Sequence, residues 1–172
     1  DAQDDADAHF ALATLAAAAD DNALARDAAH KAVALRPDWN EPRVFMVQIL
    51  VAAGARETAA ALLDEYLAAA PDDKELKLLR AQLHIDAEEY EAALAVFDDL
   101  LRQDSAQPDV LFTAAVLALE VDALEQARGY LVRLNEMGQR EDDVAFLLGQ
   151  LEERAGNRDA ALGWYAKVDG PN

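Results

Sequence analysis

No stretch of this chain alternates apolar and polar residues as a strand does; its apolar positions are punctuated instead by small residues at a long, fixed period. Ala25, Ala59, Ala93, Ala127 and Ala161 stand 34 residues apart. A second column, Ala13, Val47, Ala81, Ala115 and Gly149, keeps the same period twelve positions earlier and is small in four of its five members. One period held this long means one supersecondary unit copied along the chain. Two small columns per unit let two antiparallel helices cross at short interaxial distance, so the unit is a helical hairpin. The pattern predicts helices over 6–19, 23–36, 41–53, 57–70, 74–87, 91–103, 108–121, 124–137, 142–155 and 158–168.

Alanine and leucine, both strong helix formers, dominate the composition, and the few glycines and prolines fall at boundaries. Gly54 and Gly156 lie between the two helices of their copies, where a left-handed residue is useful. Pro42 and Pro108 sit near helix starts, where a missing N–H costs no hydrogen bond. No run is long and uncharged enough for a membrane helix.

With Ala6, Asn40, Lys74, Pro108 and Asp142 as first positions, the small residues fall at places eight and twenty. A mostly large apolar place, twenty-four, reads Ala29, Leu63, Phe97, Leu131 and Tyr165, and a closing proline at place thirty-two reads Pro37 and Pro71. In these features the chain resembles the 34-residue tetratricopeptide repeat, most closely in its third copy, from Glu89 through Phe97. It departs at Ser105 and Gln139, which stand where the proline belongs. It departs also at place four, where His9, Arg43, Lys77, Leu111 and Ala145 replace the usual large aromatic. The resemblance implies an all-α fold, a right-handed superhelical solenoid of five hairpins over 6–39, 40–73, 74–107, 108–141 and 142–172, forming one domain. The chain opens at Asp1 without methionine. Its last helix, with Leu162, Trp164, Tyr165 and Val168, runs straight into Asp169-Gly170-Pro171-Asn172. Continuation into a longer protein is therefore expected, with self-association through the C-terminal helix as the other way to cover that end.

In the resembling family the first helix of each hairpin lines a concave groove through places two, five, nine, twelve and thirteen. Carried over, the groove wall comprises Phe10, Val44, Leu78, Phe112 and Phe146 at place five, and Val51, Ile85 and Leu119 at place twelve. Gln48, Gln82, Val116 and Gln150 at place nine offer mainly amides that can pair with peptide backbone. Place two is acidic throughout: Asp7, Glu41, Glu75, Asp109 and Asp143, joined by Asp86 and Glu120 at place thirteen. Two explanations compete for these acids. Carboxylates in a first helical turn favour the helix dipole by about 0.3–1 kcal/mol each; alternatively they form a negative rail along an apolar groove.

The net charge of −19 argues against nucleic acid as a partner, because phosphate binding needs clustered Lys and Arg. The carboxylate clamp of some tetratricopeptide domains, which needs groove lysine, asparagine and arginine, has no counterpart at Phe10, Ala11 and Thr14. Catalysis is not expected either. His9, His30 and His84 occupy different places in different copies, Asp98-Asp99 and Asp142-Asp143 diverge by about 100° on a helix, and they are expected to be solvated. No phosphate loop or nucleophile elbow is present, and no metal or cofactor is expected. Cysteine is absent, so disulfides and thiol chemistry are excluded. The expected role is a non-enzymatic scaffold holding a basic or neutral peptide or helix by apolar anchors, with no membrane insertion of this segment. A structural spacer is the rival. Residues 146–150 and 160–165 resemble repeats of bacterial envelope-anchored proteins, so a periplasmic or envelope location is expected ahead of a cytoplasmic one.

Overall fold

The computed structural model describes residues 2–104 and 106–168. Among the described residues it has ten helices and no strand: α1 (Ala2–Ala18), α2 (Asn22–Leu35), α3 (Asn40–Ala52), α4 (Arg56–Ala69), α5 (Lys74–Asp86), α6 (Tyr90–Gln103), α7 (Pro108–Glu120), α8 (Leu124–Glu136), α9 (Glu141–Arg154) and α10 (Arg158–Val168). The helix limits match the expected ones to about a residue, except that α1 begins four residues earlier. Ser105 and Asp169-Gly170-Pro171-Asn172 lie outside the described residues.

Each hairpin turn is built the same way. Asp20, Gly54, Glu88, Asp122 and Gly156, one per copy and 34 residues apart, all take positive φ, between 54° and 81°. That conformation lets the following N–H reach a carbonyl five residues back: Asp21 to Ala16, Ala55 to Leu50, Ala123 to Ala118 and Asn157 to Glu152, at 2.8–2.9 Å. Only two of the five residues are glycine, so the sequence shows the device in two turns and hides it in three. Side-chain caps are few. Asp21 and Asp73 accept from the backbone N–H of Leu24 and Leu76, each at 3.0 Å.

The chain packs as two compact units, Asp1–Ala87 and Glu88–Asn172, dividing in the turn of the third copy. In the first, α1 packs on α2, α2 on α3, α3 on α4 and α4 on α5; in the second, α6 through α10 pack pairwise in the same order. All five alanines of the period are buried, as are the five members of the earlier column. The core of unit 1 centres on Val47, Leu50, Ala59, Leu63, Tyr66 and Leu76. That of unit 2 buries Phe97, Leu100, Leu111, Leu131, Leu134, Val144, Leu148 and Leu151.

Place four carries buried cations where an aromatic is usual. Arg43 and Lys77 are each 8% exposed. The Arg43 guanidinium lies 5.3 Å from the Tyr66 ring centroid, its Nε buried without a hydrogen-bond partner, while Lys77 Nζ reaches Asp72 at 3.9 Å. Burial raises the Tyr66 pKa against the opposing pull of Arg43. In unit 2, Arg128 and Asn157 donate to the buried Glu152 and hold its carboxyl below the ordinary range. Asp98, expected to be solvated, is half-buried instead. It accepts from Tyr130 Oη at 2.6 Å and Gln126 Nε2 at 3.3 Å, because α8 of the next copy lies beside it.

Candidate protein-binding site

In α3, Glu41, Val44, Phe45 and Gln48 follow the i, i+3, i+4, i+7 spacing that puts four side chains on one helix face. One period later α5 repeats the face with Glu75, Leu78 and Leu79. Together with Phe10 of α1, these eight residues line a cavity of about 470 Å³ within unit 1. Three consecutive first helices thus contribute to one hollow. Its apolar wall is anchored from behind, since Val44 and Leu79 also pack on the core. Phe10 is fixed by edge-on contacts with Trp39 and Phe45, ring centroids 5.0 and 5.6 Å apart. Leu78 remains 40% exposed.

The acids of this site differ from those elsewhere in their column. Glu41 and Glu75 are exposed at the cavity and have no hydrogen bond or ion pair among the described residues. Asp7 instead pairs with Arg36 at 2.9 Å, and that guanidinium lies 4.2 Å from the Trp39 ring centroid. Asp143 pairs with Arg140 at 3.2 Å. Asp109 is exposed, with its backbone carbonyl accepting from Thr113.

The remaining expected groove residues scatter. Val51 is half-buried against the core, and Ile85 is half-buried outside the cavity lining. Gln82 is not a free amide: it donates to Asp86 at 2.7 Å. In unit 2, Phe112 lies under the Arg140 guanidinium at 3.8 Å, Phe146 is 47% exposed with its ring 5.9 Å from that of Tyr165, and Val116 and Gln150 are half-buried. Glu120 is exposed. Leu119, expected on the groove wall, is 3% exposed and belongs to the core, because α7 is the most apolar of the first helices and buries more than one face. Conversely Phe45 and Leu79, at place six, line the cavity though the carried-over positions omit them. The acidic column signals them, since place six is i+4 from place two.

Two smaller hollows lie in unit 2. One of about 250 Å³ has Asp98 and Leu94 in its wall, and one of about 360 Å³ lies beside Leu162, which is 63% exposed. Among the described residues no three His, Asp or Glu side chains are placed to hold a metal, and no helix is long and apolar enough to cross a membrane. His84 accepts from Arg80 Nε at 3.1 Å, His9 is half-buried and His30 exposed.

The family profile described as tetratricopeptide repeat matches residues 46–108, and ten helices keep its 34-residue period on either side of that match. The chain has a tetratricopeptide-repeat-like fold. Solved structures share this fold at low identity. MamA of Desulfovibrio magneticus RS-1 superposes with a TM-score of 0.74 at 16% identity, covering 96% of this chain and 93% of that one. A tetratricopeptide repeat protein of Parabacteroides merdae gives 0.78 at 15%, covering 96% and 66%. Pseudomonas aeruginosa PilF gives 0.67 at 22%, covering 95% and 74%. A search of curated proteins finds no match. Tetratricopeptide-repeat proteins mediate protein–protein interaction, and the family is typically non-enzymatic.

Proposed function

We propose that this chain is a non-enzymatic adaptor that holds a peptide or helix of another protein in the cavity of unit 1. The observation that supports this is the cavity itself, about 470 Å³, lined by one helix from each of three successive copies and floored by side chains already fixed in the core. A preformed wall loses little conformational entropy when it is covered. Apolar contacts with Val44, Phe45, Leu78 and Leu79 supply affinity, and Gln48 offers an amide to partner backbone. Glu41 and Glu75 favour basic or neutral segments over acidic ones. The compartment belongs to the same proposal: a periplasmic or envelope-associated setting, supported by the resemblance of residues 146–150 and 160–165, is tested by cell fractionation.

A photoreactive amino acid placed at Leu78, with His30 on α2 as an exposed control, tests the site in the intact protein. Adducts to a defined partner segment are expected from position 78 alone. Equal adduct formation at both positions, or none at 78, would place binding elsewhere.

A further inference from the structure

Unit 2 already holds an arginine against one of its groove aromatics. The Arg140 guanidinium carbon lies 3.8 Å from the Phe112 ring centroid, and its Nε donates to Asp143 at 3.2 Å. Arg140 does this from a left-handed backbone, φ 54°, which non-glycine residues disfavour, so its side-chain contacts offset a local cost. The aromatic and the acid of this arrangement recur three periods earlier. Phe112 corresponds to Phe10 (112−10 = 102) and Asp143 to Glu41 (143−41 = 102). Both of those residues line the cavity of unit 1. The third member does not recur: at the place of Arg140 stands Asp38 (140−102 = 38), an exposed acid. Unit 1 therefore has the ring and the carboxylate without the cation. Its nearby arginine, Arg36, is engaged by Asp7 and Trp39 and is not among the cavity-lining residues.

We propose that the cavity of unit 1 takes an arginine from the partner segment, its guanidinium over Phe10 and beside Glu41, with the flanking residues of that segment on Val44, Phe45 and Leu78. This rests on the protein-binding reading above and names the residue that reading leaves open. Charge complementarity supports it, since Glu41 and Glu75 are unpaired in a chain of net charge −19. Arginine suits the pair better than lysine. Its planar guanidinium stacks on a ring while its edge still donates to a carboxylate, whereas an ammonium is a compact, strongly hydrated point charge.

Random twelve-residue peptides displayed on phage are selected against the intact chain. Selected peptides are then resynthesised with arginine replaced by lysine or citrulline, and binding is read by fluorescence anisotropy. Arginine next to apolar residues should be enriched, and citrulline should weaken binding about threefold to thirtyfold, the combined scale of a partly exposed ion pair and a cation–π contact. Glu41→Gln, an exposed position whose folding is checked by circular dichroism, should weaken the arginine peptide by several-fold and leave the citrulline peptide unchanged. Peptides that lack arginine yet lose binding in Leu78→Asp would overturn the arginine assignment while leaving the site intact. Peptides indifferent to Leu78→Asp, or no selection at all, would overturn the site as well.

Discussion

Gly149→Ala adds one methyl group to α9, and its effect is set by the ring that faces it. A Cβ at position 149 would lie 2.3 Å from Tyr165 Cε1, 2.5 Å from Cδ1 and 2.9 Å from Cζ. Carbon atoms pack at about 3.5–4.0 Å, so the Tyr165 ring must shift by more than an ångström. That shift disturbs its hydroxyl bond to Glu153, 2.9 Å, and its contact with Phe146. Two terms oppose each other. Alanine in a helix interior is better than glycine by about 0.8–1.0 kcal/mol, and overpacking costs roughly 1–3 kcal/mol. The net expectation is a loss of about 1 kcal/mol.

A double-mutant cycle isolates the clash. In a Tyr165→Ala background the overpacking term vanishes, and Gly149→Ala should become stabilising by roughly 1 kcal/mol. Because hairpin repeats open locally, the readout is hydrogen exchange of the α10 amides alongside the urea midpoint. If Gly149→Ala changes exchange by the same factor in both backgrounds, the ring does not set the size of position 149.

Glu88 holds a left-handed turn position without glycine and has no hydrogen bond or ion pair among the described residues, so Glu88→Gly should stabilise by about 0.5–1 kcal/mol in urea unfolding. Asp122→Gly should not match it, because Asp122 accepts from Arg154 at 3.2 Å. Glu152→Gln should cost roughly 1–2 kcal/mol at neutral pH. Hydrogen bonds from Arg128 and Asn157 depress the folded pKa of Glu152, so its contribution is complete above the ordinary 4.5 and is lost as pH falls through the lower folded value; the gap between wild type and variant should close in that acid range and not above it. Ala93→Leu should overpack the buried face of α6 by about 1–3 kcal/mol and speed proteolysis near residues 80–105 before the ends melt.

The hairpins and their period were legible because each rests on backbone proximity, which leaves a mark in side-chain size: only small residues survive at Ala25, Ala59, Ala93, Ala127 and Ala161. The turns were half legible. Glycine betrays a positive φ at 54 and 156, whereas Asp20, Glu88 and Asp122 adopt it with ordinary side chains. The lining of the unit 1 cavity was legible where the helix period alone decides a face, as at Glu41, Val44 and Gln48. It was obscured wherever neighbours decide. Leu119 looks like a groove residue until the core claims it, Asp98 looks solvated until Tyr130 arrives, and Arg140 carries no sequence signal that it lies on Phe112. Such contacts join residues 28 or more apart and depend on side-chain directions that no local pattern encodes.

The acidic column can be divided between its two explanations. The helix dipole acts within the first turn. Glu41, Glu75, Asp109 and Asp143 all stand there, but Asp7 does not, because α1 starts at Ala2, and Asp7 is held by Arg36 instead. Dipole stabilisation therefore covers four of the five and treats Glu41 and Asp109 alike: each is exposed, in a first turn, and without a side-chain ion pair among the described residues. They differ in one respect, that Glu41 lines the unit 1 cavity and Asp109 does not. Glu41→Gln and Asp109→Asn should accordingly destabilise to a similar extent, about 0.3–1 kcal/mol each. Only Glu41→Gln should weaken the photo-crosslinked partner segment and flatten the salt dependence of its binding, since a charge contact near the surface is screened over about 8 Å at physiological ionic strength. Equal losses of partner affinity in both variants would assign the whole column to helix stability and remove Glu41 from recognition.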